Sequence, residues 1–246
     1  MNRTQKPSGF TLIELLVVIV IVAALSSLVF LGVKRAVSGA KSAKSVSNLK
    51  QISLGIESIM ADGVQNGHNI RGTYPPYAGW IKSPVWAQFN LYELLGEEAG
   101  LCQLEGNKYS WSVHPSETFL QNPLSEHKLC GDTPIVSIEN ATFKAGEGLR
   151  GGYAYNHLIE GWVGPATPEE KVKGTRAHRI KRPASIILVA EQNPDKGAIW
   201  FGPYANAIPQ GTYKDKTHCL MVDGHVELID NTKLADLDEA KRLMKP

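Results

Sequence analysis

Between Leu15 and Val33 the chain runs for 19 residues without a charge. As a helix, a run of this length is enough to cross the hydrocarbon of a bilayer. Glu14 stands at its start. A carboxylate at that depth costs several kcal/mol unless it finds a partner. A segment that keeps an acid there must have a use for it.

A secretory signal peptide reads in the order basic start, apolar region, small-residue cleavage site. Here the order is reversed. Arg3 and Lys6 come first, Ser8-Gly9 follows, and the apolar run comes last. Cleavage after Gly9 would remove a leader, residues 1–9, and leave the helix on the product. Gly9-Phe10-Thr11-Leu12-Ile13-Glu14 resembles the processing motif of type IV pilins and type II secretion pseudopilins.

That resemblance implies a processing path. A prepilin peptidase would cut between Gly9 and Phe10 on the cytoplasmic side and methylate the new amino terminus of Phe10. It also implies a role for Glu14 in assembly, its carboxylate meeting the amino terminus of a neighbouring subunit. The implied location is the bacterial inner membrane, crossed once, with the C-terminal domain extracytoplasmic (periplasmic) until the subunit enters a filament. The implied partners are the peptidase, other pilin-like subunits and the inner-membrane assembly platform. Lys34, Arg35, Lys41 and Lys44 on the far flank oppose this orientation on a positive-inside count. The cleavage motif decides the matter, because processing requires Gly9 to be cytoplasmic.

The helical pattern continues past Val33. Val37, Ala40, Val46, Leu49, Ile52, Ile56, Ile59 and Met60 form an amphipathic stripe, and Asp62-Gly63 reads as a stop. A helix from about Phe10 to Ala61 would be roughly 75 Å long. Residues 10–33 form its transmembrane half and residues 34–62 its amphipathic half. Residues 63–246 form a pilin-like globular domain. The expected fold class is α+β, a long N-terminal helix packed on an antiparallel sheet, with a loop-rich middle holding many of the 14 prolines.

In the middle, Ser83 to Gly96 reads as a helix. Towards the end, Ser185 to Ala190 reads as a buried strand and Ala198 to Phe201 as a short one. Thr217–Val222, Asp223-Gly224 and His225–Ile229 read as a hairpin with a type I′ turn. That turn would pair Val222 with His225 and Met221 with Val226. It would place Cys219, Met221, Val226 and Leu228 on the face that meets the long helix. Asn231 to Met244 reads as one terminal helix. Arg179–Glu191, Gly152–Asn156 and Asp223–Val226 resemble segments of a large bacterial family of pilin-like proteins that closes on His, nine residues, Asp-Gly. Here Tyr213 stands where that histidine is expected.

Of three cysteines, Cys219 falls on a buried strand face. Cys102 and Cys130 are a candidate disulfide in an oxidising compartment. Spacing gives no zinc site. His218, His225 and Glu227 could share one hairpin face; among the acids near the C-terminus, Asp223 belongs to a tight turn and Asp230 to Asp238 lacks the spacing of a calcium loop. No cofactor or metal is expected. No nucleophile elbow or phosphate-cradling glycine loop is present, so catalysis is not expected. With a net charge of +2, no nucleic acid partner is expected either. The leading expectation is a structural subunit of a type II secretion pseudopilus or a type IV pilus. The alternative is a membrane-tethered extracytoplasmic module that binds an exported protein, a glycan or DNA.

Overall fold

The computed structural model describes residues 11–65, 68–69, 71–75, 91–105, 108–131, 151–159, 175–193, 200–202 and 208–246. The architecture is α+β. The chain divides into two compact units at Lys41/Ser42.

The first unit is the leading part of α1, which spans Leu12–Asp62 overall. Every large apolar side chain described from Leu12 to Val33 is exposed. An isolated helix with apolar residues all round suits lipid better than water. Lys34 closes this stretch. Its Nζ lies 4.5 Å from the centre of the Phe30 ring, one turn back, so its stem covers apolar surface while the charge reaches outward.

The second unit, Ser42–Pro246, is a sandwich of three layers. Its centre is a five-stranded sheet in the order β7-β5-β6-β8-β9. The strands are β5 (Tyr153–Asn156), β6 (Ile187–Glu191), β7 (Trp200–Phe201), β8 (Lys216–Met221) and β9 (Val226–Asp230). All pairings are antiparallel except β5 with β7. One face carries the end of α1 through Leu49, Ile52, Ile56 and Ile59. These side chains pack with Tyr155, Val189 and Leu220 of the sheet and with Tyr92 and Leu95 of α2 (Leu91–Glu98). The other face carries α3 (Asn231–Ala235) and α4 (Leu237–Met244), with Leu234, Ala240 and Met244 on Ile187, Ala190, Cys219 and Met221. Two hairpins of β1 with β2 (Val64–Gln65, His68–Asn69) and β3 with β4 (Cys102–Glu105, Lys108–Trp111) lie outside this sheet.

Three expectations are corrected, and one falls partly outside the described residues. First, the hairpin register differs by one residue: Leu220 pairs with Val226 and His218 with Leu228. Met221 N donates to His225 O, and Gly224 sits at φ +85°. The loop is therefore Val222-Asp223-Gly224, the three-residue kind that ends on a left-handed glycine. A one-residue slip moves side chains to the opposite face. Leu220 and Val226, not Cys219 and Met221, thus face α1. Both faces of this sheet are covered, so the apolar pattern of β8 alone could not select the register. Second, the terminal helix is two helices. Asp236 is extended at ψ 116° and accepts from the N–H groups of Asp238 and Glu239, capping α4 and ending α3. Third, only Leu91–Glu98 of the helix expected from Ser83 is described; residues 83–90 lie outside the described residues. Ala198 and Ile199 lie outside them too. Fourth, Val37 and Ala40 of the predicted stripe are exposed, and the stripe becomes buried from Ser45 onward.

Gly55 shows why the stripe is broken by a glycine. A Cβ there would sit 2.5 Å from Leu95 Cδ2, so its absence lets α2 approach α1 closely.

Candidate functional site

Two places hold polar groups where the surroundings are apolar. The first is the start of α1. Thr11 N and Oγ1 donate to Glu14 Oε2 at 2.9 and 2.8 Å, and Glu14 N donates back to Thr11 Oγ1 at 3.3 Å. This is a capping box, in which two otherwise orphaned N–H groups of a helix start are satisfied reciprocally. Glu14 therefore has partners on its own chain at the edge of the apolar run. Gly9 and Phe10 lie outside the described residues.

The second is a buried node in the domain. Glu191 ends β6 and is wholly buried. Its direction follows from a bulge. Ile187 pairs with Met221 but Val189 pairs with Leu220, so Leu188 is one residue too many. Bulges re-aim side chains. Strict alternation from Ile187, which faces α3 and α4, would send Glu191 to that same face. After the bulge, Leu188 and Val189 both face α1, and so does Glu191.

Three groups meet the carboxylate, and two more join through them. Ser45 Oγ donates to Oε1 at 2.9 Å and His218 N donates to Oε2 at 3.0 Å. His218 Nδ1 lies 2.9 Å from Oε1, and Ser42 Oγ lies 2.8 Å from His218 Nε2. The Tyr153 hydroxyl joins at 3.2 Å from Ser45 Oγ. Burial pushes the Tyr153 phenol well up; the Ser45 hydrogen bond opposes this and the Glu191 charge adds to it. A carboxylate can only accept, so Nδ1 carries a proton and the imidazole is held in one orientation. Gly211 makes room: a Cβ there would lie 2.3 Å from Glu191 Oε2 and 2.4 Å from Lys216 O.

Residues 5–30 match the family model described as the prokaryotic N-terminal methylation motif. The chain carries that motif. It is the signature of type IV pilins and pseudopilins, and it runs directly into the exposed apolar part of α1. That helix is long and apolar enough to cross a membrane. No curated protein and no solved structure matches the chain.

Away from the motif, the other candidate residues are scattered. Cys102, Cys130 and Cys219 are all buried, and Cys102 and Cys130 are not joined in a disulfide. His218 faces α1, whereas His225 and Glu227 pair across from Met221 and Cys219 on the opposite face, so the three do not share a face as expected. His225 instead closes the hairpin turn, its Nδ1 lying 2.6 Å from Asp223 Oδ1. Desolvation pushes the Asp223 carboxyl up, but hydrogen bonds from His225 outweigh it and hold the carboxyl below its usual range. Tyr213 lies beside the node, its ring centroid 5.6 Å from that of His218.

Sequence reasoning missed the node. Two signals pointed to it: an acid ending an apolar strand at Glu191, and serines on the apolar stripe of α1.

Proposed function

We propose that this pilin-like protein is a structural filament subunit, cut by a prepilin peptidase after Gly9 and methylated on Phe10. The observation that carries the reading is the methylation motif at residues 5–30 running into an uncharged, exposed helix. The mature subunit waits in the inner membrane with its sheet domain on the extracytoplasmic side. The assembly platform then draws it among other pilin-like subunits. Exchange of lipid contacts for protein contacts leaves the apolar helix buried throughout, so little apolar surface ever meets water. Glu14 sets the register. Its carboxylate leaves the Thr11 cap to pair with the charged amine of a neighbour, and that stronger, charge-assisted contact forms only in the assembled state.

A type II secretion pseudopilus fits slightly better than a type IV pilus. Cys219 alone lies in the C-terminal tail, so the paired cysteines that close the tail of many pilins have no counterpart.

Mass spectrometry of protein purified from native membranes tests the reading. The expected product begins at Phe10 and carries one added methyl group. Protein retaining Met1 throughout, with none beginning at Phe10, would overturn it.

A further inference from the structure

Ser42, His218 and Glu191 stand in the order of a nucleophile, its base and the group that orients the base. Ser42 Oγ is 2.8 Å from His218 Nε2, and His218 Nδ1 is 2.9 Å from Glu191 Oε1. The His218 and Glu191 side chains are 3% and 0% exposed. Ser42 is half-buried on α1.

A purely structural tie accounts for Ser45, which is buried and bonded to the carboxylate. It accounts less well for Ser42. A serine inside a helix can satisfy its hydroxyl on a carbonyl one turn back, as Ser27 does with Ala24 O at 2.7 Å. Ser42 is aimed instead at the far nitrogen of an imidazole whose near nitrogen is held by a buried acid.

We propose that Ser42 is an activated nucleophile that accepts an acyl group from an activated ester or thioester. Ser42 Oγ attacks the carbonyl carbon as its proton passes to His218 Nε2. Glu191, hydrogen-bonded at Nδ1, stabilises the imidazolium formed in this step. The adduct then collapses, and the bond from carbon to the leaving oxygen or sulfur breaks. The leaving group takes the proton from His218, so Ser42 ends as an ester and the imidazole ends neutral. α1 runs unbroken through residue 42, so its backbone N–H groups there are used by the helix. Without such donors for the oxyanion, the site is suited to one transfer onto Ser42 rather than to turnover.

The test uses the full-length chain in detergent micelles, an alkyl fluorophosphonate as the serine-directed electrophile, and peptide mass spectrometry. The expected result is one adduct, on the Ser42 peptide, absent in Ser42→Ala and absent after unfolding in urea. Ser45 should stay unmodified. In His218→Gln the adduct should form on the order of 100-fold more slowly, the loss expected for removal of a general base. Ser42→Ala replaces a half-exposed helical side chain and keeps the fold, so the first comparison stands even where His218→Gln does not fold. No adduct on Ser42 in the folded chain, or a rate equal to that of the urea-unfolded chain, would overturn the proposal. So would an unchanged rate in a folded His218→Gln chain.

Discussion

Ser45 on α1 donates a hydrogen bond of 2.9 Å to Glu191 at the end of β6, and both side chains are buried. The bond fastens the helix to the centre of the sheet. Its removal leaves a buried carboxylate short of a donor. Ser45→Ala should therefore lower unfolding free energy by about 1–3 kcal/mol. Ser47→Ala, at an exposed position of the same helix, should change it by less than about 0.5 kcal/mol. Urea midpoints of the two variants give the comparison; equal midpoints would show that the node adds nothing to stability.

Glu14 holds Thr11 in this structure, and the proposed assembly exchanges that bond for a neighbour's amine. Glu14→Ala should fractionate with membranes as the unaltered chain does, because losing a carboxylate does not hinder insertion. The yield of sheared filaments should collapse. Normal filament yield alongside normal membrane levels would rule out a register role for Glu14.

Gly211 is packed against Glu191 Oε2, Lys216 O and Thr217 Cα. Two of those three atoms belong to the backbone and cannot step aside without moving β8. Gly211→Ala should cost about 1–3 kcal/mol as an overpacked site. Gly72→Ala is an instructive contrast. A Cβ at Gly72 would meet nothing within 4 Å, but its φ of +69° strains any side chain. That variant should show a smaller loss of conformational origin, about 1 kcal/mol. Thermal melts of the pair would separate crowding from backbone strain, and a larger loss at Gly72 would reverse the assignment.

His157 lies by β7, its Nδ1 2.7 Å from Phe201 O. Burial lowers its pKa below the ordinary 6.5, and the bond to the Phe201 carbonyl only partly offsets this. Below pH 6.5 the unfolded chain takes up the proton first, so the folded state loses stability as the pH falls through the folded pKa. Above that window the contribution is fully present. His157→Gln should flatten the acid limb of the stability-versus-pH curve. Parallel curves for the two proteins would show that His157 plays no part in it.

What could be read from sequence was local. The span from Leu15 to Val33, the stop at Gly63, the strand read over Ser185–Ala190 and the hairpin at Asp223-Gly224 each rest on neighbouring residues. What could not be read depends on a partner. The register of β8 with β9 is fixed by coverage of both sheet faces, and His218, Leu220, Cys219 and Met221 cannot report that by themselves. The Leu188 bulge leaves no mark in an apolar run, yet it decides which way Glu191 points. Asp236 looked like one more polar residue on a helix, when it ends one helix and starts another. Ser42 and Ser45 read as part of the polar face opposite the stripe until β6 and β8 were placed beside them.

The residues of α1 from Ser45 to Ile59 wall one side of the domain interior. A water-soluble fragment therefore cannot begin where the strands begin. Trimming at Gly63 would strip the interior open, whereas a start upstream of Ser42 discards the greasy stem and keeps the wall. Fragment boundaries for crystallisation or ligand screening should be drawn there.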